Sequence, residues 1–184
     1  MDGQAFFNRQ LTVAKFPELD MIRAGAYDRY ACAVNVSDIF RPEITDALRQ
    51  RGVQIFWFPQ GEAFGISLAS LYGALRILWN AEKREQAVLL HCHSGHNRSV
   101  LVADCYYFLR TGQHRQQSGS LQPADCLRPK NQLFLNIDDG QLPGIYKMEK
   151  FLTCCRESFA ENFPEQDRPL DWIRLQMQLS DSGF

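Results

Sequence analysis

Residues 87–109 read AVLLHCHSGHNRSVLVADCYYFL, in which a short apolar run, a polar cluster and a longer apolar run follow one another. The first run, from Ala87 to Leu90, is typical of a parallel strand that is buried on both faces. The second run, from Val100 to Leu109, is apolar most of the way around a helix, which predicts a buried helix. The polar cluster therefore lies where a helix begins, next to backbone N–H groups that have no partner within that helix.

This polar cluster has the residue types of an anion-binding loop. Backbone N–H groups at a helix N-terminus favour phosphate or sulfate, and Gly95 lets successive N–H groups point inward. Arg98 offers a planar pair of donors that matches two phosphate oxygens. We expect the whole loop to bind the phosphate of a substrate, through His93, Ser94, Gly95, His96, Asn97 and Arg98.

Cys92 lies at the entrance of the loop, where a cysteine predicts a nucleophile. Thiols at helix N-termini beside cations have pKa values of roughly 3.5 to 7.5, so we expect an exposed sulfur that is ionised near neutral pH. Such a thiolate can accept a phosphoryl group and pass it to water. We expect Ser99 to hydrogen-bond the sulfur and ease its departure, and His91 to support the loop structurally.

The string HCHSGHNRS resembles the active-site signature of the cysteine-dependent protein tyrosine phosphatases, in which H-C is followed by five residues, R, and S or T. The expected order of strands and helices is similar to that of the dual-specificity phosphatase-like branch over residues 8–160. The segments LTVAKFP and AVNVSD resemble the opening strands of that branch, and we expect neither segment to carry chemistry. The resemblance implies a dual-specificity phosphatase-like fold, catalysis by Cys92 and Arg98, and no metal or other cofactor.

Other families place a cysteine and an arginine at similar spacing. Low-molecular-weight phosphatases and arsenate reductases carry the loop near the start of the chain, whereas Cys92 lies near the middle of this sequence. Rhodanese-like sulfurtransferases match the glycine and the arginine–serine pair less well. A zinc site is disfavoured because His91 and Cys92 are neighbours on a strand and point to opposite faces, and because the chain has no Cys-x-x-Cys pair.

The general acid is the point at which this sequence departs from the family. Most relatives have an aspartate on a loop before the cysteine, but the corresponding segment here is FWFPQGEAFG, without an aspartate. Glu62 lies close to the required position, while Gln60 occupies the commoner spacing. Because a glutamate can also protonate a leaving oxygen, Glu62 is the candidate acid, and a solvated loop charge is the alternative. Asp138 and Asp139 are a second choice.

The apolar pattern predicts an α/β fold with a central, mainly parallel sheet flanked by helices. The expected strands lie near residues 11–14, 30–36, 53–58 and 87–91, and one helix is expected after Pro42. The spacing of four leucines predicts one face of a further helix; they are Leu68, Leu71, Leu75 and Leu78. We expect residues 1–184 to form a single phosphatase-like domain, because this length suits one sizeable core.

Composition excludes several classes of partner. The net charge is -1, and no basic stripe predicts nucleic-acid binding. No apolar run is long enough for a membrane span, and no signal-peptide pattern is present, so we expect a cytoplasmic protein. The six cysteines have no regular spacing and are expected to be reduced thiols. Whether Cys32 or Cys105 forms a disulfide with an oxidised Cys92 is left open.

Two functions are compatible with the sequence. The first is a phosphatase that hydrolyses phosphate monoesters, on phosphotyrosine, phosphoserine or phosphothreonine in a protein or on a small phosphorylated substrate. The second is a catalytically weak pseudophosphatase that binds phosphorylated partners. Glu62 distinguishes the two, since only the enzyme needs an efficient acid. The oligomeric state is open, with a monomer as the expectation.

Overall fold

The computed structural model describes residues 9–60, 68–113 and 144–160. The strands assigned there are β1 (Leu11–Ala14), β2 (Cys32–Ser37), β3 (Gln54–Gln60) and β4 (Val88–His91). The helices are α1 (Leu19–Arg23), α2 (Pro42–Gln50), α3 (Leu68–Lys83), α4 (Arg98–Thr111) and α5 (Gly144–Ala160).

The four strands form one sheet in the order β1-β4-β2-β3, and every neighbouring pair is parallel. Val88 of β4 is level with Leu11 of β1 on one side and with Cys32 of β2 on the other. The predicted α/β architecture with a parallel central sheet is therefore confirmed. Because the strands are parallel, their carboxyl ends meet at one edge of the sheet, where the connections to the helices lie.

Helices cover both faces of this sheet. Val88 and Leu90 of β4 belong to the larger hydrophobic cluster, which also contains residues of α3, α4 and α5. Leu89 points to the other face and packs in a second cluster with residues of α1 and α2. All three side chains are at most 1% exposed, and burying each contributes about 1.5–3 kcal/mol. The short apolar run is thus a strand buried on both faces, as predicted.

Helix α4 directly follows the polar loop and is buried along most of its length. Leu101, Val102 and Tyr106 are among its buried residues, which confirms the predicted buried helix. The helix ends at Gly112, whose φ of 68° lies in the left-handed region and whose N–H donates to the Phe108 carbonyl at 2.7 Å. This rigid helix fixes the position of the loop at its N-terminus.

Helix α3 packs beside α4. It bears on the prediction that four leucines share one face of a helix. Three of its predicted core residues, Leu71, Leu75 and Leu78, are fully buried, while the side chain of Leu68 lies outside the described part. Of the helices described, none is both long and apolar enough to cross a bilayer.

Candidate active site

The loop between β4 and α4 lies at the carboxyl edge of the sheet, against the end of β1. Gly95 has a φ of 79°, which only glycine adopts readily. A Cβ atom at this position would lie 2.6 Å from the backbone nitrogen of Lys15 and 2.7 Å from the carbonyl carbon of Ala14. Glycine is therefore required twice, once for the turn of the loop and once for its contact with β1.

Two further contacts tie the loop to the end of β1. The backbone N–H of Phe16 donates to the carbonyl of His93 at 3.1 Å. The His91 ring meets the Phe16 ring edge-on, with 4.9 Å between centroids, and His91 is 2% exposed. Burial lowers the pKa of His91 to about 4, against a smaller upward effect of a backbone hydrogen bond at Cys92, so the imidazole is neutral near pH 7. This position suits the structural role predicted for His91.

Cys92 lies on the floor of the loop. Its Sγ is 3.2 Å from the donating N–H nitrogen of Gly95 and 3.3 Å from Oγ of Ser99. Burial raises the pKa of the Cys92 thiol, but hydrogen bonds from Ser99, and from the backbone N–H groups of Gly95 and Asn97, outweigh burial and leave the pKa below its ordinary value. The sulfur expected to be exposed is instead in a residue that is 1% exposed, because the loop folds around it.

Arg98 begins α4 and is 6% exposed. Its Nη1 donates to Oδ1 of Asp38 at 2.5 Å and to the carbonyl oxygen of Gln60 at 3.0 Å. The hydrogen bond from Arg98 is the main reason that the pKa of Asp38 lies below its usual range. Thus the segment AVNVSD, which is expected to carry no chemistry, ends in a residue that contacts the predicted catalytic arginine. This contact follows from the sheet: β2 lies beside β4 and parallel to it, so both strands end at the same edge. A sequence prediction that included this pairing would have placed Asp38 near the loop.

Of the remaining predicted site residues, some form the exposed rim of the loop and others lie outside the described residues. The exposed residues of the loop are His93, Ser94, His96 and Asn97, whereas Ser99 is fully buried beside the sulfur. The candidate acids Glu62, Asp138 and Asp139 lie outside the described residues. Gln60, at the end of β3, is 1% exposed, and its side-chain amide has no hydrogen-bond partner in the part of the chain that is described.

The two cysteines considered as disulfide partners lie away from Cys92. Cys32 is level with Val88, four residues before Cys92, which is about 13 Å along the strand. Cys105 follows Ser99 by six residues, about 9 Å along α4. Burial raises the pKa of Cys32 to about 11 and of Cys105 to about 12. Neither cysteine is placed for a disulfide with Cys92 in this fold.

The described residues form no metal site near this loop. Within residues 9–60, 68–113 and 144–160, no group of three or more His, Cys, Asp or Glu residues is arranged to hold a metal ion. The described residues offer a thiol with a lowered pKa, backbone N–H donors around it, and a guanidinium at the end of the same loop. Groups of this kind can bind a tetrahedral oxyanion.

No protein-family model and no curated protein matches the sequence. Solved structures do match it. Tk-PTP in its active form is 22% identical, with a TM-score of 0.53 over 70% of this chain and 93% of that chain. PTPMT1 is 14% identical, with a TM-score of 0.56 over 83% of this chain and 96% of that chain. TpbA of P. aeruginosa is 19% identical, with a TM-score of 0.51 over 82% of this chain and 86% of that chain.

At these identities the similarity is one of fold. The matches extend over 86–96% of each solved chain. The fold implied by HCHSGHNRS is confirmed: this chain has the fold of the protein tyrosine phosphatases of the dual-specificity type.

Proposed function

We propose that this protein is a phosphatase that hydrolyses phosphate monoesters through a phosphocysteine intermediate on Cys92. The observation that carries the proposal is the position of Cys92 Sγ, which receives hydrogen bonds at the floor of a loop that ends in Arg98. A lowered thiol pKa beside a buried arginine supplies both a nucleophile and a counter-charge for its substrate. The phosphatase fold supports this assignment.

In the first chemical step, Arg98 and the loop N–H groups bind the non-bridging oxygens of the phosphate. The Cys92 sulfur attacks phosphorus, so an S–P bond forms while the ester P–O bond breaks. The leaving oxygen takes a proton, which we assign to the carboxyl group of Glu62. The products of this step are the alcohol and the phosphocysteine.

In the second step, a water molecule attacks phosphorus and gives its proton to the Glu62 carboxylate. The S–P bond breaks and releases inorganic phosphate. The Ser99 hydroxyl, 3.3 Å from Sγ, donates a hydrogen bond to the departing thiolate and stabilises it. Water is the only co-reactant of the two steps.

We further propose that the substrate is a phosphorylated protein or a small phosphomonoester, and that the protein acts as a cytoplasmic monomer without a cofactor. PTPMT1, which shares the fold, has been solved in complex with PI(5)P. The substrate panel should therefore contain phosphotyrosine, phosphoserine and phosphothreonine peptides, sugar phosphates and phosphoinositides. The exposed rim of the loop carries His93 and His96.

The alternative is a pseudophosphatase that binds phosphorylated partners with little turnover. The observation that favours it is Gln60, a buried amide at the spacing where relatives commonly carry the acid. The two proposals share the loop and differ only in the acid. They are separated by turnover of substrates whose leaving groups need a proton.

The first experiment measures turnover across the panel and the binding of tungstate. We expect turnover by the wild type, and we expect Cys92→Ser to abolish turnover while still binding tungstate, because a serine hydroxyl is not ionised near neutral pH. Retained turnover in Cys92→Ser would refute covalent catalysis. Tungstate binding without any turnover by the wild type would favour the pseudophosphatase.

The second experiment tests the acid with Glu62→Gln. If Glu62 protonates the leaving oxygen, the variant should hydrolyse alkyl or tyrosyl phosphates about 10²- to 10⁴-fold more slowly. The loss should be much smaller for p-nitrophenyl phosphate, because nitrophenolate leaves without a proton. Small and equal losses on both substrates would remove Glu62 from the mechanism and direct the search to Asp138 and Asp139.

A further inference from the structure

A cavity of about 240 Å³ lies between the C-terminal parts of α3 and α4. Its lining residues are Trp79, Glu82, Lys83, Glu85 and Arg110. Because α3 ends shortly before β4 begins, the cavity lies at the amino edge of the sheet, whereas the Cys92 loop lies at the carboxyl edge. Arg110 is also about 18 Å along α4 from Arg98. The cavity is therefore separate from the candidate active site.

Two of the lining residues carry a buried polar atom without a partner. Glu82 is 5% exposed and Trp79 is 8% exposed. Among the described residues, no group forms a hydrogen bond with Oε1 of Glu82 or with Nε1 of Trp79. The first atom is an acceptor and the second is a donor, and leaving either kind unpaired in the interior destabilises a protein. These two atoms therefore indicate a bound molecule that both donates and accepts hydrogen bonds.

The lining also carries charges of both signs. Nζ of Lys83 lies 5.3 Å from the centroid of the Trp79 ring, and the guanidinium carbon of Arg110 lies 4.7 Å from it. Lys83 is exposed and the Arg110 side chain is 23% exposed, so solvent reaches the cavity on the side of these cations. The carboxylates of Glu82 and Glu85 balance the two cations, so the lining as a whole is neutral.

This lining favours one class of ligand. A simple anion would meet two carboxylates, and a simple cation would meet two other cations, whereas a zwitterion can pair with both signs. The cavity is smaller than the roughly 300–1,000 Å³ of pockets that hold drug-sized ligands, so its ligand is small. The ammonium group of an amino acid donates to carboxylates, and its own carboxylate accepts from N–H groups. A free amino acid therefore matches the size, the charge and the unpaired atoms of the cavity.

We propose that this cavity is a second binding site of the protein and that it holds a free α-amino acid. The ammonium group of the ligand donates to Oε1 of Glu82. Its carboxylate pairs with Lys83 and accepts from the indole N–H of Trp79. The site does not depend on the proposed phosphatase chemistry, because it lies at the far end of α4 from the Cys92 loop.

The test measures binding of each common amino acid to the wild type by calorimetry and by the shift in melting temperature. We expect at least one amino acid to bind with a Kd below about 1 mM. At about 10 mM, that ligand should raise the melting temperature by about 3–5 °C. Cys92→Ser should bind it as tightly as the wild type does, because the two sites are separate.

Three simpler molecules at the same concentration test the parts of the ligand. Acetate lacks the ammonium group, ethylamine lacks the carboxylate, and glycine betaine carries both charges without an N–H donor. We expect none of the three to shift the melting temperature. An equal shift with acetate or with ethylamine would overturn the assignment to a zwitterion. An equal shift with betaine would overturn the hydrogen bond to Glu82.

Variants of the lining residues locate the binding. Trp79→Phe keeps an aromatic ring but removes the indole N–H, and should weaken binding by about tenfold. Lys83→Gln removes an exposed cation and should weaken binding by about threefold. The matched control is Arg84→Gln, which removes the neighbouring exposed cation outside the lining and should leave the affinity unchanged.

The remaining outcomes would contradict the proposal. Equal losses in Lys83→Gln and Arg84→Gln would show a general effect of charge instead of a contact in the cavity. If Trp79→Phe does not fold, the comparison of these two exposed variants still decides. Absence of binding by every amino acid would overturn the site and leave ordered water as the partner of the two buried atoms. Turnover of phosphate monoesters would be unaffected by that result, so the proposed function is tested separately.

Discussion

At the scale of single residues, replacing Gly95 would have two effects, backbone strain at a positive φ and a steric clash with β1. Gly95→Ala would place a methyl group against the backbone of β1 at a φ of 79°. We expect turnover and tungstate binding to be lost, because the loop must move away from β1. Gly52 has nearly the same φ, 81°, but a Cβ there would meet no atom within 4 Å.

Gly52→Ala is therefore the matched control for the strain of a positive φ alone. It should lower the free energy of unfolding by about 1 kcal/mol and leave turnover unchanged. Turnover and the tungstate-induced shift in melting temperature are measured for both variants. Equal behaviour of the two variants would show that the contact of Gly95 with β1 does not shape the site.

The reactivity of the thiols follows from the same local environments. Cys92 has a lowered pKa, whereas burial raises the pKa of Cys32 to about 11, of Cys105 to about 12, and of Cys155 well above its usual value. At pH 6.5, iodoacetamide should therefore label Cys92 before these three cysteines, and phosphate should slow the labelling. Peptide mass spectrometry gives the rates, and earlier labelling of Cys105 or Cys32 would contradict the assignment.

Ser99→Ala tests how much the Ser99 hydroxyl contributes to the reactivity of Cys92. The hydrogen bond from the Ser99 hydroxyl lowers the pKa of Cys92 more than any other hydrogen bond does. Without it the pKa should rise, so labelling at pH 6.5 should slow. An unchanged labelling rate would mean that the backbone N–H groups alone are enough to lower the pKa of Cys92.

At the scale of elements, α3 and α4 are joined by a buried polar group. The Tyr106 hydroxyl donates to Oε2 of Glu82, and Nε of Arg110 lies 2.8 Å from the same oxygen. Glu82 is 5% exposed. Tyr106→Phe should lower the free energy of unfolding by about 1.5–3 kcal/mol, because a buried carboxylate loses one donor.

Urea unfolding measures this change, and turnover per folded molecule should be unaffected, because Tyr106 lies two turns beyond Ser99 on α4. A variant as stable as the wild type would show that Arg110 alone satisfies the carboxylate. A loss of turnover at full stability would show instead that this contact sets the position of the loop.

The sequence predicts the elements better than the contacts between them. Strand β4 and the buried helix α4 follow from continuous apolar runs, which predict an element without knowledge of its neighbours. Helix α1 has five residues and one buried side chain, Ile22, which is too little for a periodic pattern. The contact between Asp38 and Arg98 depends on β2 lying beside β4, and strand order in a sheet is set by packing of the whole chain.

The prediction that the Cys92 sulfur is exposed is wrong for a related reason. A low pKa was expected together with exposure, because in a loop the two commonly occur together. Here the loop that supplies the hydrogen bonds lowering the pKa of Cys92 also surrounds its side chain, and the residue is 1% exposed. The residue types of the loop indicate its chemistry, while only the folded backbone determines access to it.

At the scale of the whole molecule, the buried His91 makes stability depend on pH. Its pKa is about 4 in the folded protein, against 6.5 for a histidine side chain in water. Below pH 6.5 the unfolded chain binds a proton that the folded protein does not take up until about pH 4. Stability is therefore lost as the pH falls through this range, by about 3 kcal/mol in total.

The measurement is urea unfolding of the wild type and of His91→Gln at several pH values between 7 and 4. Carboxylates titrate in both proteins, so the difference between the two curves isolates the histidine. The wild type should lose more stability than the variant as the pH falls. Parallel curves would show that His91 is protonated in the folded state or reaches water.

The strand order also determines when the site can form. In the described sheet, β1 pairs only with β4, and the Gln10 side chain next to it donates to the Glu85 carbonyl, 75 positions along the chain. During synthesis, β1 and β2 must therefore wait with open edges until β4 leaves the ribosome and inserts between them. The loop acquires its support from β1 in that same event, so a nascent chain that stops before β4 has neither a closed sheet nor a phosphate site, and its exposed strands are open to aggregation and proteolysis.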